Sequence, residues 1–262
     1  MVSVIIPTYK PQQYFFRCID SVLNQTLNKS KYEVIIILNG IRDPYYEHIS
    51  NYISCFSNVK LIYSPISNVS NARNIGIKES KNEFISFIDD DDFISVYYLE
   101  ELLKNANNNT VSLSNTFDYL ESTKVFVDSR ITREYKKNID RNISDINSAK
   151  KFFSGPVYKL IHKDIISNFR FNTNFQNGED SIFMFEISCN IRNIAFTDYN
   201  AVYYRRIRNN SATSRYRSRI NKTKNSFLMI ITYLSIYIKN PCKYSLIFLL
   251  TRIAGAIKQV VN

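Results

Sequence analysis

The stretch "YEVIIILNG" (Tyr32 to Gly40) constrains the fold of this chain more than any other. Its aliphatic side chains run without a break from Val34 to Leu38. Side chains in a strand alternate between its two faces, so both faces here must be buried, as in a parallel sheet covered on both sides. The neighbouring segments supply such a sheet. "VSVIIP" and "VKLIYS" read as further strands, and "NEFISFI" as a fourth. Between them, "QYFFRCIDSVLNQ" places Phe15, Cys18, Ile19 and Val22 at helical spacing, while "YYEHISNYISCF" and "NVSNARNIGIKES" read as two more helices. Alternation of this kind predicts a doubly wound α/β sheet. Ligands of such sheets bind outside the carboxyl ends of the strands, where Pro7-Thr8-Tyr9, Asn39-Gly40 and the run Asp89 to Asp92 would converge.

Past Ser95 the pattern weakens. "VYYLEELLKNA" is helical, but the Asn-rich and charged stretch 105–147 has no clear period. "GPVYKLIHKDII", a helix beginning near Asp180, and the strand-like "NIAFTD" and "AVYYRR" follow. With 262 residues, 45% of them hydrophobic, a large core is expected and general disorder is not. Cys18, Cys55, Cys189 and Cys242 lie far apart, which predicts reduced, mostly buried thiols of a cytosolic protein rather than a disulfide framework. Because "VSVIIP" already reads as a strand, no signal peptide is expected before it.

The acidic run "FIDDDDFIS" is the chemical centre of the sequence. In an extended chain Asp89 and Asp91 would point to one side, and Asp90 and Asp92 to the other. Converging carboxylates at a strand end suit Mg²⁺ or Mn²⁺, which such sites hold with one or two carboxylates plus substrate phosphates. Asp92 alone could instead cap the following helix. The spacing lacks the Gly and distant Glu of an EF-hand, and His48 and His162 have no zinc-ligand spacing.

Six segments, "VSVIIPTYK", "EVIIILNG", "SNVSNARNIGI", "FIDDDDFIS", "GPVYKLIHKDII" and "NGEDSIF", stand in the order seen in family 2 glycosyltransferases of the GT-A fold, and the resemblance covers about residues 2 to 215. It implies a Rossmann-like mixed sheet: a GT-A catalytic domain over 1–215, with a nucleotide-binding half (1–105) and an acceptor-binding half (106–215). Asp89-Asp90-Asp91 resembles the family's DXD motif. By that match Asp91 coordinates a metal on the donor diphosphate, Asp89 helps hold metal and ribose, and Asp90 belongs to the donor site. Pro7, Thr8 and Tyr9 resemble the loop against which the base packs, and Arg73 a basic residue near the nucleotide. Asp180 resembles the catalytic base, with Glu179 as the next candidate for the base or for acceptor binding; a helix N-cap is the plainer reading of Asp180. Where the family usually has two Asp before Gly, this chain has Leu38-Asn39-Gly40, so Asn39 offers a donor and an acceptor in place of a carboxylate. Lys10 follows the Pro-Thr-Tyr turn as a solvated loop residue or a phosphate contact. Arg205, Arg206 or Arg208 resembles a distal segment that closes over the diphosphate, the alternative being part of a solvated basic tail.

One carboxylate for a base and a separate pair for a metal match single-displacement sugar transfer with inversion. The implied donor is a nucleotide-diphosphate sugar, foremost a UDP-sugar, and the transferred group a hexosyl or acetylhexosaminyl unit. The implied acceptor is a hydroxyl of a lipid-linked oligosaccharide in capsule, O-antigen or other surface-polysaccharide synthesis. Net charge is +11, yet no Asp or Glu follows Asp198, and the twelve Lys and Arg beyond it leave 22 basic and 23 acidic residues before it. "SFLMIITYLSIYIK" and "YSLIFLLTRIAGAIKQVV" are each too short in apolar residues to span a bilayer. They read as amphipathic helices over 216–262, either lying on an anionic membrane surface or packing on the domain. A peripheral place on the inner face of the cell membrane follows from the first reading. Nucleotidyl transfer is the competing enzyme class, although "PTYKPQQ" lacks its Gly-rich phosphate loop. Nucleic-acid binding through the tail is the competing non-enzymatic reading, with no recognisable module behind it.

Overall fold

In the computed structural model, which describes residues 1–139, 145–175, 177–207 and 219–261, the continuous apolar run lies inside a seven-stranded sheet. Strands β1 (Val2–Thr8), β2 (Tyr32–Asn39), β3 (Val59–Ser64) and β4 (Phe84–Phe87) are parallel, in the spatial order β3-β2-β1-β4. Ile6 pairs with Ile36, which pairs with Leu61, and both Ile6 and Ile36 are fully buried. Each such side chain contributes about 1.5–3 kcal/mol relative to exposure. The connecting helices are α1 (Gln13–Leu23), α2 (Tyr45–Ile53) and α3 (Val69–Glu79). The stripe of Phe15, Cys18, Ile19 and Val22 on α1 is buried as its spacing predicts. The Asn68 side chain caps α3 by accepting from the Asn71 N–H.

Beyond β4 comes the turn of the acidic run, the two-residue β5 (Phe93–Ile94) and α4 (Tyr98–Asn105). The poorly periodic stretch then yields β6 (Thr110–Leu113), β7 (Asn115–Leu120), β8 (Val125–Asp128) and α5 (Arg130–Ile139). These strands are short and β8 is exposed throughout, so neither alternation nor a continuous apolar run marks them. After β9 (Lys159–His162) and α6 (Lys163–Ile166), the chain forms α7 (Glu179–Ile187), β10 (Asn193–Phe196) and β11 (Val202–Ile207). Antiparallel β9 joins β4 to β6, making the large sheet mixed, and β10 closes its far edge. A second sheet, β5-β11-β7-β8, stands over the carboxyl end of β4.

The basic tail forms two helices, α8 (Arg219–Lys239) and α9 (Leu246–Val261), separated at Asn240-Pro241. They pack against each other and on α7: Tyr233 and Phe248 are fully buried, each within 5.6 Å of the Phe185 ring centre. Packing on the domain therefore accounts for one face of the tail. No helix among the described residues is long and apolar enough to cross a membrane. All four cysteines are free, but only Cys18 is buried, while Cys55 and Cys242 are exposed. The expectation of mostly buried thiols fails because the other three lie off the core faces of their segments.

Candidate active site

Because β1 and β4 are neighbours, their carboxyl ends bring Pro7 to Tyr9 beside the acidic run. That run is not extended: the Asp92 N–H donates to the Asp89 carbonyl (3.1 Å), closing a turn, so the expected alternation of its side chains does not occur. The carboxylates fan out to separate partners instead. Asp89 accepts from Arg73 Nη2 at 2.9 Å, and Asp90 from Thr8 Oγ1 at 2.5 Å. Asp92, only 3% exposed, accepts from the Tyr203 hydroxyl (2.6 Å) and the Arg206 N–H (2.8 Å). It therefore does not cap α4, which starts later at Tyr98; it fastens the turn to β11, and a buried carboxylate needs such donors.

A cleft of about 460 Å³ opens at these strand ends, walled by Pro7, Tyr9, Asn39, Arg73, Asp89, Asp90 and Asp91, together with Tyr14 and Ser67 to Val69. Thr8 is buried and not on its wall, but its hydroxyl donates to Asp90, which is. The Asn39 amide donates to the Thr8 carbonyl (2.7 Å), so its donor steadies the β1 turn instead of projecting into the cleft. Gly40 has φ +90°, and a Cβ there would come within 2.7 Å of the Tyr9 ring, so only glycine lets that ring lie against the β2 turn. Lys10 is exposed, its ammonium 5.4 Å from the Tyr9 ring centre.

Arg73 carries the site across to α7. Its side chain is 4% exposed, and Nη1 donates to Asp180 Oδ1 at 2.5 Å while Nη2 holds Asp89. Burial alone would lower the guanidinium pKa, but Asp180 and Asp89 outweigh it and hold the group above its usual range. Asp180 does not cap α7: Gly178, at φ +88°, occupies that position, and Asp180 stands in the first turn. The side chain is 28% exposed, yet lies deep enough that burial pushes its pKa up to about 7, with Glu179 and Asp89 adding to the rise and Arg73 opposing it. Asp90 is likewise pushed up to about 7, chiefly by burial, with the Thr8 hydrogen bond opposing. Asp180 and Glu179 line a second, larger cavity of about 820 Å³, roofed by α8 and α9.

Among the described residues no three His, Cys, Asp or Glu side chains cluster as a self-sufficient metal cage. Asp89, 41% exposed, and Asp91 both line the cleft at the strand ends. That donor set fits a hard divalent ion completed by ligand phosphates rather than one enclosed by protein.

Residues 3–169 match the family described as Glycosyl transferase family 2. The chain belongs to that family. Among curated family relatives, the poly(ribitol-phosphate) β-N-acetylglucosaminyltransferase TarP of Staphylococcus aureus is 31% identical over 248 residues, covering 92% of this chain and 73% of TarP. The putative glycosyltransferase EpsH of Bacillus subtilis is 27% identical over 84% of this chain, which spans 64% of EpsH. The fold matches the crystal structure of S. aureus TarS 1-349 in complex with UDP-GlcNAc at a TM-score of 0.73, with 19% identity, over 98% of this chain and 72% of that one. The chain thus carries the mixed sheet of the GT-A fold, and its family membership favours glycosyl over nucleotidyl transfer.

Other residues of this family member take places the sequence did not indicate. Arg205 forms a two-bonded pair with Asp118 (2.9 Å each), and Arg206 Nε donates to Glu121 (2.6 Å). Both are residues of β11, which pairs with β7, rather than of the basic tail; Arg208 lies outside the described residues. The His162 imidazole caps α6 by accepting from the Asp164 N–H, and His48 lies on α2. Lys159, fully buried, was not singled out from sequence. Its ammonium donates to the carbonyls of Phe152 (2.9 Å), Gly155 (2.6 Å) and Val157 (2.7 Å), knotting the loop that borders Asp180. Burial pushes its pKa well below the usual amine range. A lone Lys inside the apolar "VYKLI" was the available signal.

Proposed function

We propose that this glycosyltransferase moves a sugar from a UDP-sugar to a hydroxyl of a surface-glycan acceptor, with inversion and with a divalent cation. The carrying observation is the buried Arg73, which bonds at once to Asp89 on the donor-side cleft and to Asp180 on the larger cavity. In this reading Pro7, Tyr9 and Asn39 wall the nucleotide, and Asp91 and Asp89 hold Mn²⁺ or Mg²⁺ against the diphosphate, with Thr8 and Asp90 shaping the wall behind. The ion, when bound, would stabilise the charge that develops on the departing diphosphate. Asp180 takes the proton of the acceptor hydroxyl as it attacks; a carboxyl poised near 7 is well matched to that task. Glu179 orients the acceptor beside it. A base on one side and the diphosphate on the other favour direct displacement. The TarS structures in complex with UDP-GlcNAc and with UDP support a uridine donor and an acetylhexosaminyl group.

The helical hairpin supports peripheral attachment to the inner face of a membrane and access to a lipid-linked acceptor. Its outward face carries Phe227 (65% exposed), Ile231 and Ile238 on α8, and Leu246, Leu250 and Ile257 on α9, each set at helical spacing. Calorimetric titration with UDP and UDP-GlcNAc, with and without Mn²⁺, tests the donor half. Metal-dependent binding that Asp91→Ala abolishes is expected. Equal binding by Asp91→Ala would overturn the ion site, and no binding of any uridine nucleotide would overturn the donor assignment.

A further inference from the structure

The larger cavity is strongly cationic for a site that must hold a sugar or polyol acceptor. Arg130 at the start of α5, Lys150 before the Lys159 loop, Lys222 in the first turn of α8, and Arg252 and Lys258 on α9 all line it. None of the five forms an ion pair among the described residues. The acids on its wall are Glu179 and Asp180, and Asp180 is already held by Arg73. Arg252 is the most telling of the group. Its Nη atoms donate only to neutral partners: the Phe153 carbonyl (3.0 Å), the Ser181 hydroxyl (3.3 Å) and the Lys150 carbonyl (3.0 Å). Its Nε is buried without a partner. Burial lowers its pKa, and Arg130, another cation, lowers it further. Cations brought together from four segments without compensating acids repel one another, an arrangement that an incoming anion relieves.

Arg252 touches Ser181, the residue beside Asp180, so the positive field begins next to the proposed base and extends outward along α9. Lys258 is six residues further on, about 9 Å along the helix at ~1.5 Å per residue. We infer that the acceptor is a phosphodiester-linked chain whose phosphate groups seat on Arg252, Arg130, Lys150, Lys222 and Lys258 while an adjacent hydroxyl meets Asp180. This deepens the transferase reading above and rests on it. It also gives the acid-free tail a second role: its cations face the acceptor cavity, while a separate apolar face looks outward.

The test uses the full chain loaded with UDP and Mn²⁺, probed by calorimetry with a synthetic glycerol-phosphate hexamer and with maltohexaose. The hexamer should bind and weaken steeply with salt, and maltohexaose should not bind. Lys222→Glu with Lys258→Glu should weaken hexamer binding roughly tenfold or more, given the strength of charge-assisted contacts. Lys224→Glu with Lys243→Glu, an equal charge change on exposed residues off the cavity, should leave it unaltered. Equal affinity for maltohexaose, full hexamer binding by the cavity variant, or the same loss in the off-cavity variant would each overturn the proposal. So would a cavity variant that loses only its binding to phosphatidylglycerol vesicles, which would assign those cations to a lipid surface. UDP binding measured on the same proteins separates the two levels: its absence would remove the transferase reading, whereas UDP binding without hexamer binding would remove only the phosphodiester acceptor.

Discussion

The two cavities of this family 2 chain share one guanidinium, ion-paired to both sides, and little else. The donor-side cleft is built where parallel strands end, within segments that follow one another closely in sequence, and it is acidic. The larger cavity is assembled from α5, the Lys159 loop, the start of α7 and two helices from the far end of the chain, and it is basic. Arg73 stands between them with a carboxylate from each side on its guanidinium. Opposite local charge suits two substrates with different needs: a diphosphate accompanied by a cation on one side, and a chain that brings its own negative charge on the other.

The largest expected effect separates the cavities. Asp180→Asn should reduce transfer by ~10²–10⁴-fold, the usual contribution of a positioned base, while leaving UDP affinity close to that of the parent protein. Full turnover by that variant would end the division of labour between a donor-side cleft and a base on the acceptor side.

Next comes pH, which sharpens the same contrast. Asp180 and Asp90 both lie near 7, one on each side of Arg73. A base must be ionised, so kcat should fall about tenfold for each pH unit below roughly 7. If UDP affinity, measured by calorimetry across the same range, stays level while kcat falls, the limb belongs to Asp180; if affinity falls in parallel, Asp90 in the donor wall is responsible. Stability should move the opposite way to activity. Both carboxyls titrate higher folded than unfolded, so their contribution is fully present below about 4 and is lost as pH rises towards 7, after which it is level. Thermal melts across that window check the sign.

The difference between the cavities also decides what the sequence could tell. The donor-side cleft was legible because Pro7, Tyr9, Asn39 and Asp89 to Asp91 end or follow strands, and apolar continuity marks those strands: "EVIIIL" places Asn39, and "NEFISFI" places Asp89. Asp92 was less legible, since its partners Tyr203 and Arg206 are more than a hundred residues away. The basic cavity was not legible at all. Arg252 and Lys258 lie in a segment that reads as an amphipathic helix, and nothing local says which face of α9 meets the domain. The burial of Phe248, Leu249 and Ala256, with Phe248 against Phe185, fixes that rotation. Lys159 was missed for a related reason: a Lys inside an apolar strand is legible as an anomaly, but the three carbonyls that receive it belong to a fold-dependent loop.

That loop gives the third prediction. Lys159→Met leaves three loop carbonyls without their donor and should cost ~2–5 kcal/mol, as buried polar groups that lose partners do. Because the loop borders Asp180 and supplies the Phe153 carbonyl to Arg252, acceptor KM should rise about tenfold while UDP affinity changes little, the order expected when a few charge-assisted contacts are misplaced. Equal losses for donor and acceptor would mean that the loop supports the whole domain and that the two cavities are not separately built.

The smallest effect concerns the face of the hairpin that looks away from both cavities. Phe227 and Ile238 are 65% and 71% exposed, on the side of α8 opposite buried Met229 and Tyr233. Replacing both with Ser removes apolar area without touching the packed stripe, so melting temperature should hardly change. If this face rests on a bilayer, cosedimentation with phosphatidylglycerol vesicles should weaken about fivefold, since such side chains would be only partly buried at an interface. Turnover on an acceptor free in solution should be unaffected, because neither residue lines a cavity. Vesicle binding that survives this change but is lost on Lys222→Glu with Lys258→Glu would move the lipid contact to the cavity mouth. The basic cavity would then hold a headgroup, and the contrast between an anchoring face and an acceptor site would collapse into a single membrane-facing surface.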